Sequence, residues 1–193
     1  MLFQLEQRDV AASQTLRAAL YKAEASHPGF SYDLVLGMVR KSGDTPVNMN
    51  ESLLRLQGAA SDQDSHEYRS SRTEEPFQEL NKKSAALKRI LARIPDEITD
   101  RKTFLETIKE IASAIKKLLD SVNNVIKLTI DDEDDEKRFD LEEKKKDFIR
   151  GSKRFSNTLK DYFRNGNQSS VIFASESLIS QVNEIMISLI SVL

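Results

Sequence analysis

Four lysines, spaced alike in two separate segments, are the residues whose type and pattern point most clearly to a binding site. Each segment has two lysines seven residues apart with a small residue between them: Lys109, Ala112 and Lys116 in the first, and Lys153, Ser156 and Lys160 in the second. On a helix this pattern gives a shallow strip with a basic rim, which suits an amphipathic helix with acidic flanks. The alternative is that these lysines extend over apolar neighbours into solvent.

Other kinds of chemistry find little support in the composition. The chain has no cysteine, which excludes thiolate catalysis, disulfides and sulfur-ligated metals and fits a reducing compartment. Its two histidines, His27 and His66, have no cluster of candidate partners, and there is no glycine-rich phosphate loop. We therefore expect no metal, no cofactor and no enzymatic activity. A net charge of −2 also gives nucleic-acid binding no overall electrostatic support.

The first lysine pair lies in a segment with a strong helical pattern, residues 104–126. Its main apolar row is Phe104, Ile108, Ile111, Ile115, Leu118, Val122 and Val125. A second row beside it repeats every seven residues, at Leu105, Ala112, Leu119 and Ile126. The resulting apolar face is wider than a coiled-coil seam and predicts a helix of a bundle core.

Three further segments carry the same kind of pattern. One begins at Pro76, stops before Pro95 and has its apolar positions at Phe77, Leu80, Leu87, Leu91 and Ile94. The next has Leu141, Phe148, Phe155, Leu159 and Tyr162 as core, with Ile149, Ser156 and Phe163 alongside. The last has Leu178, Val182, Ile185, Leu189 and Val192. Four long helices with short joints predict an all-α, up-down four-helix bundle over residues 76–193.

Heptad comparison of the two lysine-bearing helices predicts how they meet. Phe148 corresponds to Phe104, and Lys153 to Lys109. If the helices pack antiparallel as neighbours, Lys109 lies opposite Lys160 and Lys116 opposite Lys153. The predicted groove is formed by Leu105, Ile108, Lys109, Ala112, Lys116, Ile149, Lys153, Ser156 and Lys160.

The N-terminal part, residues 1–57, reads as short helical pieces, and residues 58–75 as a polar linker or at most a weak helical extension. Such a short helical region buries little surface by itself. It is either a cap on the following domain or half of an interlocked dimer. Its apolar residues at helical spacing include Leu16, Ala19, Leu20, Leu34, Met38 and Val39.

Two other stretches have simpler interpretations. The acidic run at 131–136 lacks the glycine and spaced oxygens of an EF-hand, so we expect a solvated loop. The apolar tail at 171–193 carries Glu176 and Glu184 in its middle and predicts a buried bundle helix rather than a membrane span. Charged residues follow the N-terminus too soon to leave the apolar stretch that a secretory signal needs.

Several of these stretches together resemble the programmed cell death protein 10 family, also called the cerebral cavernous malformation 3 protein family. They are RAALYKAEASHPGF, ESLLR, ALKRILARIPDEITDR and above all FLETIKEIASAIKKLLDSVNNV. The resemblance covers nearly the whole chain. It implies a small N-terminal helical dimerisation domain followed by a focal-adhesion-targeting homology bundle, in an adaptor without catalysis.

The resemblance also implies partners. The N-terminal domain would pair with itself or with the tails of group III germinal-centre kinases. The implied dimer interface consists of Leu16, Ala19, Leu20, Leu34, Met38 and Val39. The groove lysines, with Ala112 and Ser156, would bind LD-like helices of malcavernin, paxillin or striatin type. Location would be cytoplasmic, with peripheral association to Golgi and plasma membrane. The alternative function is phosphoinositide binding by the same lysines.

Two departures from the family pattern are visible. The chain begins inside what would be the family's first helix, which weakens the expectation of a dimer. The run at 131–136 is strongly acidic where the family is mixed or basic, which could alter ligand affinity.

Overall fold

A computed structural model describes residues 6–42, 48–60, 68–129 and 135–192, and the regular structure within these ranges is helical. The helices are α1 (Val10–Ser26), α2 (Phe30–Ser42), α3 (Met49–Ala60), α4 (Glu75–Ala92), α5 (Ile94–Glu97), α6 (Arg101–Thr129), α7 (Asp135–Asn165) and α8 (Gln168–Val192). The prediction of an all-α protein is confirmed. None of the described helices is long and apolar enough to cross a membrane.

The core of the larger part of the chain lies among α4, α6, α7 and α8. The predicted core positions that are buried are Phe77, Leu80, Leu87, Leu91, Ile94, Phe104, Ile111, Leu118, Val122, Val125, Leu141, Phe148, Phe155, Leu159, Leu178, Val182, Ile185 and Leu189. Ile108, Ile115 and Tyr162 are half-buried against them. The periodicity of the sequence therefore selects the residues that hold this bundle together.

Local signals explain where the bundle helices begin and end. Pro76 lies in the first turn of α4, where its missing N–H is not needed. That helix ends at Ala92, and Pro95 opens the short α5 instead of continuing α4. Asp100 caps α6, since its Oδ1 accepts hydrogen bonds from the backbone N–H groups of Lys102 at 2.9 Å and Thr103 at 3.2 Å. These bonds lower the pKa of Asp100.

The chain divides into two compact units after Met49 rather than after residue 57 as predicted from the sequence. The difference concerns α3, which packs within the second unit. Leu54 is fully buried there, and Arg55 forms an ion pair with Asp96 of α5 at 2.8 Å. Gly58 lies so close to α4 that a Cβ atom would overlap the side chain of Ala92.

The described end of the predicted linker also packs on α4. The side-chain amide of Asn81 holds Ser70 by two buried hydrogen bonds, accepting from its N–H at 3.1 Å and donating to its carbonyl at 3.0 Å. The ammonium of Lys88 lies 5.3 Å from the ring centroid of Tyr68. A polar stripe on α4 thus fixes a segment that has no apolar period of its own.

The first unit contains the helical hairpin of α1 and α2. The helix α1 ends at Ser26, just before the His-Pro-Gly sequence at residues 27–29, because proline disfavours helical geometry in the residue before it. Gly29 adopts φ 92°, a left-handed conformation that favours glycine. The carboxylate of Glu24 then accepts hydrogen bonds from the N–H groups of Gly29 at 2.6 Å and Ser31 at 2.8 Å, which lower its pKa. This side chain therefore fixes the turn and caps the start of α2.

Several residues singled out in the sequence cannot be compared with the structure. Most of the acidic run, residues 131–134, lies outside the described residues, as does His66. The side chains of Val39 and Val192 are also outside them.

Lys88 gives a test of the packing around α4. The residue is 7 % exposed, and burial lowers its pKa from 10.5 to about 8. Between these two pH values the unfolded chain binds a proton that the folded chain has released, so folding stability rises with pH by about 3 kcal/mol. We expect this rise in urea unfolding of the native chain as the pH increases from about 8 to about 10.5.

The matched control is Lys88→Met, which keeps the apolar stem and removes the titrating amine. Its stability should lack this rise, while titrations shared by both proteins cancel in the difference. Parallel pH profiles for the two proteins would contradict the buried position of the amine.

Candidate functional site

The candidate groove lies between α6 and α7, and two contacts near its ends fix how these helices align. Near the start of α6, the ring of Phe104 is 6.0 Å from that of Phe163 near the end of α7. Near the other end, Nζ of Lys145 donates to Oδ1 of Asn123 at 3.1 Å. The two helices therefore run antiparallel.

The same alignment sets the level of the four lysines along the groove. Both helices rise by about 1.5 Å per residue. Between the two end contacts, each step forward along α6 therefore corresponds to one step back along α7. The facing pairs are Lys109 with Lys160, Ala112 with Ser156, and Lys116 with Lys153. This is the register that heptad comparison predicts.

Apolar side chains remain accessible between the two helices. Within the described residues α6 packs closely on α4, and α7 on α8, while α6 and α7 approach each other less closely. Leu105 and Phe163 are 42 % and 44 % exposed, and Ile108, Leu119 and Ile149 are half-buried. The groove thus has an apolar floor that the bundle leaves partly uncovered.

Small residues keep the middle of this floor shallow. Ala112 and Ser156 are both exposed. The hydroxyl of Ser156 donates to the carbonyl of Ser152 at 3.0 Å, within its own helix. Its donor is therefore already used, and the site offers little more than a methylene group to a ligand.

The lysines around the floor are available for a ligand's charges. All four are exposed, and none forms an ion pair within the part of the chain that the structure describes. Two carboxylates on these helices have other partners, since Glu110 pairs with Arg93 at 2.7 Å and Asp147 with Arg150 at 2.6 Å. The rim therefore carries four exposed cations without an ion pair among the described residues.

Side-chain contacts between the two helices mark both ends of the groove, and the helical pattern of the sequence does not predict them. At one end the rings of Phe104, Tyr162 and Phe163 pack together, and the hydroxyl of Tyr162 donates to the carbonyl of Ile98 at 2.9 Å. At the other, Lys145 bridges Asn123 and Glu142. From Phe104 to Asn123 the helix rises roughly 28 Å, enough for about five turns of a docked helix.

The predicted dimer residues lie in the first unit, which has no apolar core among its described residues. Among the described side chains of this unit, that of Ser13 alone is buried. Leu16, Leu34 and Met38 are each 40–42 % exposed, Ala19 is exposed and Leu20 is half-buried. A helical hairpin with its apolar faces uncovered needs a partner surface to be stable.

Residues suited to metal or acid–base chemistry are not gathered elsewhere in the described ranges. No group of three or more His, Asp or Glu residues there is placed to hold a metal ion. His27 is exposed in the turn after α1.

A helical hairpin with uncovered apolar faces, followed by a bundle with a basic groove, is typical of helical adaptor proteins. Residues 1–45 match the family described as programmed cell death protein 10, dimerisation domain, and residues 47–142 match programmed cell death protein 10, C-terminal. A Caenorhabditis elegans protein named programmed cell death protein 10 homolog is 36 % identical over 182 residues, covering 91 % of this chain and 79 % of that protein.

The chain belongs to the programmed cell death protein 10 family, and the resemblance noted in the sequence is confirmed. The family and its dimerisation domain support a helical adaptor that self-associates. The residues of the groove and of the dimer interface stay predictions.

The alignment of α6 and α7 is open to a direct test, because the chain has no cysteine to interfere. Cysteines introduced together as Ala112→Cys and Ser156→Cys should be joined by a short bifunctional maleimide. The readout is the intramolecular cross-link after protease digestion and mass spectrometry.

The matched control pairs Ala112→Cys with Lys146→Cys, an exposed position that lies ten residues, or about 15 Å, nearer the start of α7. This pair should react poorly. Equal yields from both pairs would overturn the register.

Proposed function

We propose that this chain is a non-catalytic adaptor that binds an acidic, leucine-rich helix in the groove between α6 and α7. The observation that carries the proposal is the combination of an accessible apolar strip with four lysines that have no carboxylate partner among the described residues. Helix-in-groove recognition uses such a surface, with apolar anchors below and complementary charges at the rim.

The dimensions of the groove support a helix rather than an extended peptide. The facing small residues Ala112 and Ser156 let a backbone approach closely, while Leu105 and Ile149 offer apolar contact to leucines at helical spacing. Lysines on both sides can pair with acids on both flanks of the ligand. A helical ligand of about five turns or fewer fits between the two end contacts of the groove.

The partners are proposed from the family resemblance. LD-like helices of malcavernin, paxillin or striatin type suit the groove by their leucines and acids. The first unit would pair with itself or with the tails of group III germinal-centre kinases. Such an adaptor would join kinase signalling to junctions, cytoskeleton and cell survival, in the cytoplasm and at the surfaces of Golgi and plasma membrane.

The same unpaired lysines favour one alternative ligand, a phosphoinositide membrane surface. Salt weakens both kinds of binding, so it does not separate them. Leucine-to-alanine changes in a peptide ligand affect only helix docking, whereas vesicle binding responds to the anionic lipid content.

Charge reversal of the groove tests the leading proposal. Lys109, Lys116, Lys153 and Lys160 all changed to Glu should weaken an acidic leucine-rich peptide by about 2 kcal/mol or more, roughly 30-fold, because each exposed pair contributes roughly 0.2–1 kcal/mol and reversal adds repulsion. Calorimetry measures the affinity, and circular dichroism checks the fold, which should persist because all four residues are exposed.

A matched control reverses four exposed cations outside the groove: Lys82, Arg89, Arg101 and Arg164. It should retain affinity far better. If the folded groove variant bound the peptide with unchanged affinity, the four lysines would be ordinary solvated residues that do not take part in binding.

Self-association is tested in the first unit with Ala19→Asp. The residue is exposed in the single chain, so the change is tolerated by the hairpin. In a dimer it buries an unpaired carboxylate and costs several kcal/mol. Light scattering should therefore report a dimer for the native chain and a monomer for the variant.

The control is Lys22→Asp, also exposed on α1 but polar in the native chain. It should remain dimeric. A native chain that is a folded monomer at tens of micromolar would contradict the proposed interface.

A further inference from the structure

A second concave surface lies between α7 and α8, and the proposed function does not use it. Its volume is about 540 Å³, within the range of small-ligand sites. The inner end is set by Gly151 and Gln181, because a Cβ atom at residue 151 would overlap the amide of Gln181. Beyond this close approach, the small residue Ala174 leaves the space open.

The polar wall of this cavity favours an anion. It carries the guanidinium of Arg154, the amide of Asn50 and the hydroxyls of Ser169, Ser170 and Ser177, and no carboxylate is among its lining residues. Arg154 forms no ion pair within the described ranges of the chain. Its donors are therefore available to a ligand with several acceptor oxygens.

The remaining wall favours a ring or another flat apolar body. Phe155 forms part of the wall and is 2 % exposed, whereas Phe173 is 67 % exposed at the opening. A ligand held by Arg154 alone would leave most of the volume unfilled. Aromatic contact with these two side chains would bury the exposed ring of Phe173.

The inner end also offers an unused acceptor. Oε1 of Gln181 is buried and has no hydrogen-bond partner among the residues that the structure describes. Buried polar atoms are nearly always paired, by protein, water or ligand. A hydroxyl or N–H group on the ligand body would satisfy this oxygen.

We propose that the α7–α8 cavity binds a phosphate monoester carried on a ring-containing body. A phosphate monoester supplies three acceptor oxygens, which match the guanidinium and hydroxyl donors better than the two oxygens of a carboxylate. Two sources share this chemistry: the side chain of phosphotyrosine in a peptide, and a nucleoside monophosphate.

The test titrates phenyl phosphate into the full chain and follows binding by calorimetry. Saturable binding is expected, and it should weaken at least tenfold in Arg154→Gln and in Ser170→Asp, which places a carboxylate on the wall. Both residues are exposed, so both variants should fold. The matched controls Arg150→Gln and Ser180→Asp, on the same helices but outside the cavity lining, should bind like the native chain.

Three further titrations, with a phosphotyrosine peptide, uridine monophosphate and inorganic phosphate, identify the source and test the role of the ring. A phosphotyrosine peptide and uridine monophosphate compete with phenyl phosphate if the site is as proposed, and the tighter competitor names the source. The proposal is overturned if phenyl phosphate does not saturate, if Arg154→Gln binds it equally well, or if inorganic phosphate binds as tightly as phenyl phosphate.

Discussion

The groove depends on one constraint: the apolar face of α6 is wider than its neighbouring helices cover. Most of its main row is buried, with Phe104 and Val122 at 0 % exposure, while Ile108 and Ile115 are half-buried. The second row is covered less, and Leu105 remains 42 % exposed. Since α6 already packs closely on α4, and α7 on α8, the uncovered row faces the looser junction of α6 and α7. A partner helix is the natural way to bury it.

The bundle and the alignment of this groove could be predicted because both follow from helix periodicity. Core rows repeat with the helical turn, so Phe148 and Leu178 are recognisable without coordinates. Once two helices run antiparallel, the pairing of one residue on each helix determines all other facing pairs. Heptad comparison predicts such a pairing, and the contact between Asn123 and Lys145 is consistent with it.

Contacts made by polar side chains could not be predicted in the same way, because they repeat with no period. Asn81 and Lys88 look like solvent-facing residues in the sequence, yet they hold Ser70 and Tyr68 against α4. Glu24 caps α2 from the preceding helix, seven residues before Ser31. The placement of α3 likewise depends on close contact at Gly58, which a composition shift does not reveal. These contacts explain why the boundary between the units differs from the expected one.

Self-association changes what a weak groove can achieve. Rim contacts on exposed lysines contribute roughly 0.2–1 kcal/mol each, so one groove alone would bind a short helix modestly. A dimer presents two copies of the groove, and a partner with two acidic helices, or two partners joined together, would meet the second copy at high effective concentration. The gain depends on whether the linker between the ligand helices can span the two grooves. On this view self-association through the first unit would raise the affinity for such ligands, and partner choice would depend on ligand spacing as well as on the sequence of each helix.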